Sequence, residues 1–171
     1  MPAAKPTAFL DRDGVLNVDR GYVHQIEELE WIENAPEAVR LLNEAGFRVV
    51  VITNQSGVAR GHYDEEAVVR FHAHMQEFLT HRGARIDAFY VCPHHPEGSV
   101  AAYAIDCECR KPKVGLLEQA ARDCPVDHAR SFVIGDRDGD IEAAAAFGIR
   151  GVKFDWTSQS LVAIVRALIA H

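Results

Sequence analysis

Phe9-Leu10-Asp11-Arg12-Asp13-Gly14-Val15-Leu16-Asn17 is the stretch that decides how this chain is read. The apolar run Ala8-Phe9-Leu10 ends abruptly in two carboxylates one residue apart. A short apolar run closed by a turn signal predicts a buried strand, so Asp11 and Asp13 open the loop beyond its C-terminal end. Gly14 lets the backbone turn sharply there and approach a ligand closely. Ligands of open α/β sheets bind outside the carboxyl ends of the strands. Two carboxylates crowded at that place repel each other unless a cation lies between them or one is protonated. The pattern therefore predicts metal-assisted chemistry, or a division of the pair into nucleophile and acid. A solvated Asp-rich turn is the competing reading of so short a motif.

Working outward, the chain of 171 residues suits one domain, residues 1–171, with a proper core. Apolar residues make up 48%, which excludes global disorder. A formal net charge of −7 disfavours a nucleic-acid binder, which would need a basic face. No apolar run approaches the ~18 residues of a membrane span. Met1 to Thr7 lacks an apolar signal core, so a cytoplasmic location is expected. The short loops and the lack of a large apolar exposed stripe favour a monomer.

Strands and helices alternate along the chain. Strands are predicted at Thr7 to Leu10, Phe47 to Ile52, Ala88 to Val91, Ser131 to Ile134 and Gly151 to Phe154. Phe47-Arg48-Val49-Val50-Val51-Ile52 is the clearest, β-branched and almost wholly apolar as a central parallel strand should be. Between them lie helices with identifiable ends. Asn34 caps the first, with Pro36 in its first turn and Gly46 at its end; Asp64 caps the second, which stops at Gly83. The third spans Leu116 to Arg122, the fourth runs to Phe147 and Gly148, and Thr157 or Ser158 caps the last. His72, His74 and His81 read as ordinary surface or half-buried residues of the second helix. This alternation predicts a Rossmann-like α/β fold, a parallel sheet with helices on both faces.

Such a sheet gathers Asp11 and Asp13, Thr53, the Cys92 loop and Asp136 along one edge. Asp11 with Asp136 makes an oxygen-rich site suited to Mg²⁺, a hard cation. Asp138 reads as a turn residue, and Asp140 as a helix N-cap or a functional acid. Arg110 and Lys111 form a basic pair ahead of Pro112 that suits a phosphoryl group. Thr53 can offer a hydroxyl to phosphate oxygens; a strand-end threonine that simply ends the ladder is the competing reading. Cys92, His94, Cys107 and Cys109 form two short pairs in the loop 92–109, a donor set for a structural, tetrahedral Zn²⁺. His95 is the competing ligand; His94 mirrors the one-residue gap of Cys107 and Cys109. Cys124 reads as a core thiol outside the cluster. The staple would hold Arg110 and Lys111 rigidly beside the phosphate.

DRDG (Asp11 to Gly14), VITNQSGVARG (Val51 to Gly61), CPHH…CECRKP (Cys92 to Pro112) and IGDRDGDIEAA (Ile134 to Ala144) occur in that order. Together they resemble the four motifs of the haloacid dehalogenase (HAD) superfamily of phosphatases, over nearly the whole chain. The resemblance implies that Asp11 is the nucleophile, forming an aspartyl-phosphate, and that Asp13 is the general acid and then base. It implies Mg²⁺ on Asp11, the main-chain carbonyl of Asp13, and Asp136, with Thr53 and Lys111 stabilising the phosphoryl oxygens. It implies substrate contacts from Asp19, Arg20, Gly21, Tyr22, Asn54, Gln55, Ser56, Arg110 and Arg137. Val15 stands where the superfamily motif often has Thr. There is no room for a large cap domain, so residues 19 to 24 and the zinc-stapled loop must shape specificity. TNQSG and the CxH…CxC insertion before RKP narrow the implied substrate to a small phosphorylated sugar. A heptose bisphosphate, a precursor of lipopolysaccharide or S-layer glycans, leads; histidinol phosphate is the alternative. From another class, the chain would be a zinc-stapled interaction module with a vestigial site, which the intact Asp11, Asp13, Lys111 and Asp136 oppose.

Overall fold

Thr7–Leu10 forms β1, buried along its whole length. The computed structural model describes residues 2–171, so Met1 of the Met1 to Thr7 stretch lies outside the described residues. Arg48–Asn54 forms β2, Ala88–Cys92 β3, Phe132–Gly135 β4 and Arg150–Lys153 β5. All pair in parallel in the order β3-β2-β1-β4-β5. The order reverses at β1, which leaves a crevice beyond its carboxyl end. Leu10 is in register with Val51 on one side and Ile134 on the other. The residues that follow each of these strands therefore meet at that crevice.

Ala35–Glu44 forms α1, Glu65–Thr80 α2, Gly115–Asp123 α3, Asp138–Phe147 α4 and Leu161–Ile169 α5. Strand side chains alternate between faces. Ala8, Leu10, Val49, Val51, Phe132 and Ile134 pack with α1, α2 and α5. Phe9, Val50, Ile52 and Val133 pack with α3 and α4. Val49 through Ile52 are fully buried, each contributing about 1.5–3 kcal/mol. The sheet with helices on both faces is thus the fold expected from the sequence.

Several local expectations are corrected. Asn34 precedes α1, but its φ of 60° is left-handed and its side chain makes no cap bond; a capping side chain needs extended backbone. Asp64 does cap α2, accepting from Ala67 N at 2.8 Å. The last helix is capped by Ser160, whose Oγ accepts from Ala163 N at 3.2 Å. The hydroxyls of Thr157 and Ser158 are instead taken by Asp155, at 2.6 and 3.1 Å. Asp138 is no turn residue: it opens α4 and pairs with Lys153 at 2.6 Å. β2 begins at Arg48, not Phe47, and β5 closes before Phe154. Cys124 is half-buried, not a core thiol, because α3 ends there at the surface. His72 is buried, stacked on Phe89 at 4.3 Å.

Candidate active site

Beyond β1, Asp11 is held by its own strand and by a lysine from far along the chain. Its backbone N–H donates to Ile134 O at 3.0 Å, and its Oδ1 accepts from Arg12 N at 2.9 Å. Lys111 Nζ donates to the same oxygen at 3.0 Å, to Asp140 Oδ1 at 2.6 Å and to Ile52 O at 2.9 Å. All three ammonium hydrogens are therefore engaged. Asp11, Asp136 and Asp140 each bring a carboxylate oxygen within 4.8 Å of the others. Burial, above all, pushes the Asp11 carboxyl well above its usual range, with the neighbouring acids adding to it and Lys111 opposing. Burial also raises Asp136. Burial alone would pull the Lys111 ammonium down, but Asp11 and Asp140 outweigh it and hold it above its ordinary value.

This set fits a divalent cation. Ionised together, the three carboxylates outnumber the one ammonium that bridges two of them. Asp136 Oδ1 is buried without a hydrogen-bond partner, a costly arrangement that a cation would relieve. Gly14, at φ 90°, is packed against that carboxylate: a Cβ there would lie 2.2 Å from Asp136 Oδ2.

The Asp13 carboxylate points elsewhere. Arg12 Nε and Nη2 donate to its Oδ1 at 3.1 and 2.9 Å, and Asn17 Nδ2 does so at 3.0 Å. Gln55 Nε2 donates to its Oδ2 at 3.0 Å. Arg12 itself is fully buried. Its guanidinium lies over the Phe71 ring at 4.5 Å and donates to Val23 O at 2.7 Å and towards His72 Nε2 at 3.2 Å. A guanidinium only donates, so that imidazole nitrogen accepts and His72 is neutral. Burial first, and Arg12 second, push its pKa down to about 3.

A cavity of about 480 Å³ opens over these groups. Of the residues expected at the site, Asp11, Asp13, Asp19, Gly21, Tyr22, Asn54, Gln55, Ser56, Arg110, Lys111 and Arg137 line it. Arg20 does not; it turns outward to pair with Glu30. Thr53 is buried at the end of β2, its Oγ1 accepting from Gln55 Nε2 at 2.8 Å. Asn54 lines the wall while clasping the Lys111 backbone: Oδ1 accepts from Lys111 N at 3.1 Å and Nδ2 donates to Lys111 O at 3.2 Å. Arg137 pairs with Asp19 at 3.2 Å. Arg110 Nη1 and Arg60 Nε are buried without partners.

Next to Arg110 stand Cys92, His94, Cys107 and Cys109, with one donor atom of each within 4.8 Å of the rest. Neighbouring donors are 3.4 to 3.8 Å apart. Those are the edges of a tetrahedron with arms of about 2.0–2.3 Å, the bond lengths of zinc to nitrogen and sulfur. His95 lies outside the cluster and lines the cavity, its Nδ1 accepting from Glu97 N at 3.0 Å. Lys113 Nζ ties the loop down through Cys107 O at 2.7 Å.

Comparison with known proteins places the fold. The sequence profile of the haloacid dehalogenase-like hydrolases matches residues 8–100, more than half of the chain. The chain belongs to the haloacid dehalogenase-like hydrolases. A second HAD-like profile matches residues 108–154. The chain is 46% identical to the D-glycero-beta-D-manno-heptose-1,7-bisphosphate 7-phosphatase of Rhodopseudomonas palustris, over 98% of this chain and 96% of that one. It is 41% identical to the protein of the same name from Yersinia pestis, over 100% and 99%. Among solved structures it resembles the D,D-heptose 1,7-bisphosphate phosphatase of B. bronchiseptica complexed with magnesium and phosphate. That likeness has 30% identity and a TM-score of 0.80, and covers 96% of this chain and 98% of that one.

In this haloacid dehalogenase-like hydrolase the cavity is also lined by Arg60 and Tyr63, which the sequence did not single out, and by His95, which it weighed only as a zinc ligand. Arg12, likewise not singled out, lies against Asp13. Asp140, expected as a helix N-cap or a functional acid, is the third residue of α4: Arg137 is the N-cap, and the Asp140 side chain reaches back to it. Its Oδ2 accepts from Arg137 N at 3.2 Å while Oδ1 meets Lys111. Its close approach to Gly135, where a Cβ would lie 2.2 Å from Asp140 Cβ, leaves room for no other residue at that strand end.

Proposed function

We propose that the chain removes the C7 phosphate of D-glycero-D-manno-heptose 1,7-bisphosphate through an aspartyl-phosphate on Asp11. The observation that carries this reading is Lys111 Nζ against Asp11 Oδ1, at 3.0 Å, on the floor of the cavity. Asp11 attacks phosphorus, and the bond from phosphorus to the sugar oxygen breaks as Asp13 gives that oxygen a proton. Asp13, now a carboxylate, takes a proton from water as the water oxygen attacks the same phosphorus. Phosphate leaves and Asp11 is restored. Lys111 would face the phosphoryl oxygens, while Thr53, buried behind the cavity wall, would act through its hydrogen bond with Gln55. Asp11, Asp136 and the main-chain carbonyl of Asp13 would hold Mg²⁺; Asp140 would complete the set. When bound, magnesium supplies positive charge between the carboxylate nucleophile and the phosphoryl group.

The cavity wall favours a bisphosphate over histidinol phosphate. Arg60, Arg110 and Arg137 line it. These three guanidinium groups would attract a second phosphate, whereas the ammonium group of histidinol phosphate would be repelled. Asp19, Gly21, Tyr22, Asn54 and Ser56 would complete the wall around the sugar.

Zinc on Cys92, His94, Cys107 and Cys109 would fix the loop that carries Arg110 and Lys111. Thiolates kept for zinc need a reducing compartment, which supports a cytoplasmic location. No helix among the described residues is long and apolar enough to cross a membrane. We read the partner as a small phosphorylated sugar, with no nucleic acid, and the working unit as a monomer. Phosphate release from the heptose bisphosphate and from histidinol phosphate, with and without EDTA, tests the assignment. Magnesium-dependent turnover of the former is expected; preference for histidinol phosphate would overturn it.

A further inference from the structure

Gln55, expected to touch substrate, has every polar atom of its side chain already engaged. Nε2 donates to Asp13 Oδ2 at 3.0 Å and to Thr53 Oγ1 at 2.8 Å, which uses both amide hydrogens. Oε1 accepts the Tyr63 hydroxyl at 2.6 Å. Burial of Tyr63 pushes its phenol up to about 12, so the hydroxyl keeps its proton and donates it. A donating hydroxyl requires oxygen opposite it, and this fixes which end of the amide faces Asp13.

The phenol is itself held. Its ring lies where the absence of a side chain at position 57 allows it: a Cβ on Gly57 would come 2.1 Å from Tyr63 Cε1. On the other side His24 stacks on the ring at 4.6 Å and 16°. The chain of contacts runs from the loop after β1, through His24, Tyr63 and Gln55, back to the Asp13 carboxyl in that same loop.

We propose that Tyr63 and Gln55 are positioning residues for Asp13, the phenol locking the amide and the amide locking the carboxyl group for proton delivery to the leaving oxygen. The assignment rests on the reading of Asp13 as that acid. Arg12 and Asn17 hold Oδ1 and Arg12 Nη2 also reaches Oδ2 at 3.2 Å, so Gln55, at 3.0 Å, is the closer of the two contacts that stop the carboxyl group from turning about its own axis. Misplacing a proton donor slows only reactions whose leaving group needs the proton.

Single-turnover rates with enzyme in excess test this, because they report the first phosphoryl transfer alone. Two substrates are compared: the heptose bisphosphate, whose alkoxide leaves poorly, and 4-nitrophenyl phosphate, whose phenolate leaves unaided. Tyr63→Phe keeps the ring and its stack. It should slow the sugar substrate about tenfold or more and the aryl phosphate less than about twofold. Gln55→Met should do the same if Tyr63→Phe acts through the amide. Equal slowing of both substrates, or of neither, in both variants overturns the assignment. Asp13→Asn separates the two claims. If Asp13→Asn shows the selective loss and the other variants do not, only the Tyr63–Gln55 assignment fails. If Asp13→Asn slows both substrates alike, the reading of Asp13 as acid fails and this assignment with it.

Discussion

Lys111 Nζ sits 2.6 Å from Asp140 Oδ1 and 3.0 Å from Asp11 Oδ1, joining two carboxylates that would otherwise face each other in a buried site. Side-chain exposure is 5% for the lysine, 11% for Asp11 and 3% for Asp140, so little water screens the three charges. Removing one partner from such a set leaves an uncompensated buried charge, which costs far more than the set contributes when complete.

Lys111→Met should therefore destabilise the metal-free protein by about 3–5 kcal/mol, with Mg²⁺ restoring part of the loss. Turnover should fall by about 10²–10³-fold even when the protein is folded. Urea unfolding in EDTA and in Mg²⁺ measures the first effect; a variant as stable as the parent in EDTA contradicts the role given to this lysine.

Gly14→Ala places a methyl group where Asp136 Oδ2 now lies, and does so at a φ of 90°. A non-glycine residue in the left-handed region costs about 1–2 kcal/mol before any clash. The Mg²⁺ concentration for half-maximal activity should rise by about tenfold or more, since about 1.4 kcal/mol of lost metal binding is tenfold. An unchanged magnesium requirement would remove Asp136 from the metal site.

The cysteine cluster is separable from the thiol outside it. Cys107→Ser should lower zinc content and melting temperature together, because zinc binding is linked to folding. Cys124→Ser should leave zinc content unchanged, as that sulfur lies outside the cluster. Metal analysis of both proteins decides; full zinc in Cys107→Ser counts against the ligand set.

His72 makes stability pH-dependent. Its pKa is about 3 when folded against 6.5 for the free group. Between those values the unfolded chain binds the extra proton, so this contribution is complete above pH 6.5 and is lost as pH falls. From well above pH 6.5 down to about pH 5 the loss is about 2 kcal/mol. His72→Gln should flatten that limb of the stability curve; parallel curves for the two proteins would contradict the buried, neutral imidazole.

What the sequence made legible was whatever short-range pattern carries. Val49 to Ile52 is β-branched throughout, and only a buried strand uses such a run. Asp11 showed itself because two acids one residue apart at the end of an apolar strand repel each other unless a cation or a proton intervenes. Cys107-x-Cys109 showed itself by spacing. Arg12 stayed hidden between two acids in a sequence that reads as surface. Its burial is created by Phe71 and His72 on α2, some 60 positions away. For the same reason His72 reads as a surface or half-buried residue: its neighbours Phe89 and Arg12 come from other elements. Asp140 stayed ambiguous because an acid in the first turn of a helix is common, and only the fold brings Lys111 to it. Gln55 is expected to line the site and does, but the sequence does not show Tyr63 and Asp13 converging on its amide.

The most direct test of the account is chemical capture of the phosphorylated carboxylate. Enzyme quenched in acid during turnover is treated with borohydride, which reduces an aspartyl-phosphate to homoserine, and the peptide holding residues 9–17 is sequenced by mass spectrometry. The account predicts homoserine at position 11 and no capture in Asp11→Asn, which should have lost at least about 10⁴-fold in turnover while keeping its fold. Homoserine at position 13, or no reduced residue from an enzyme quenched while turning over, would contradict it.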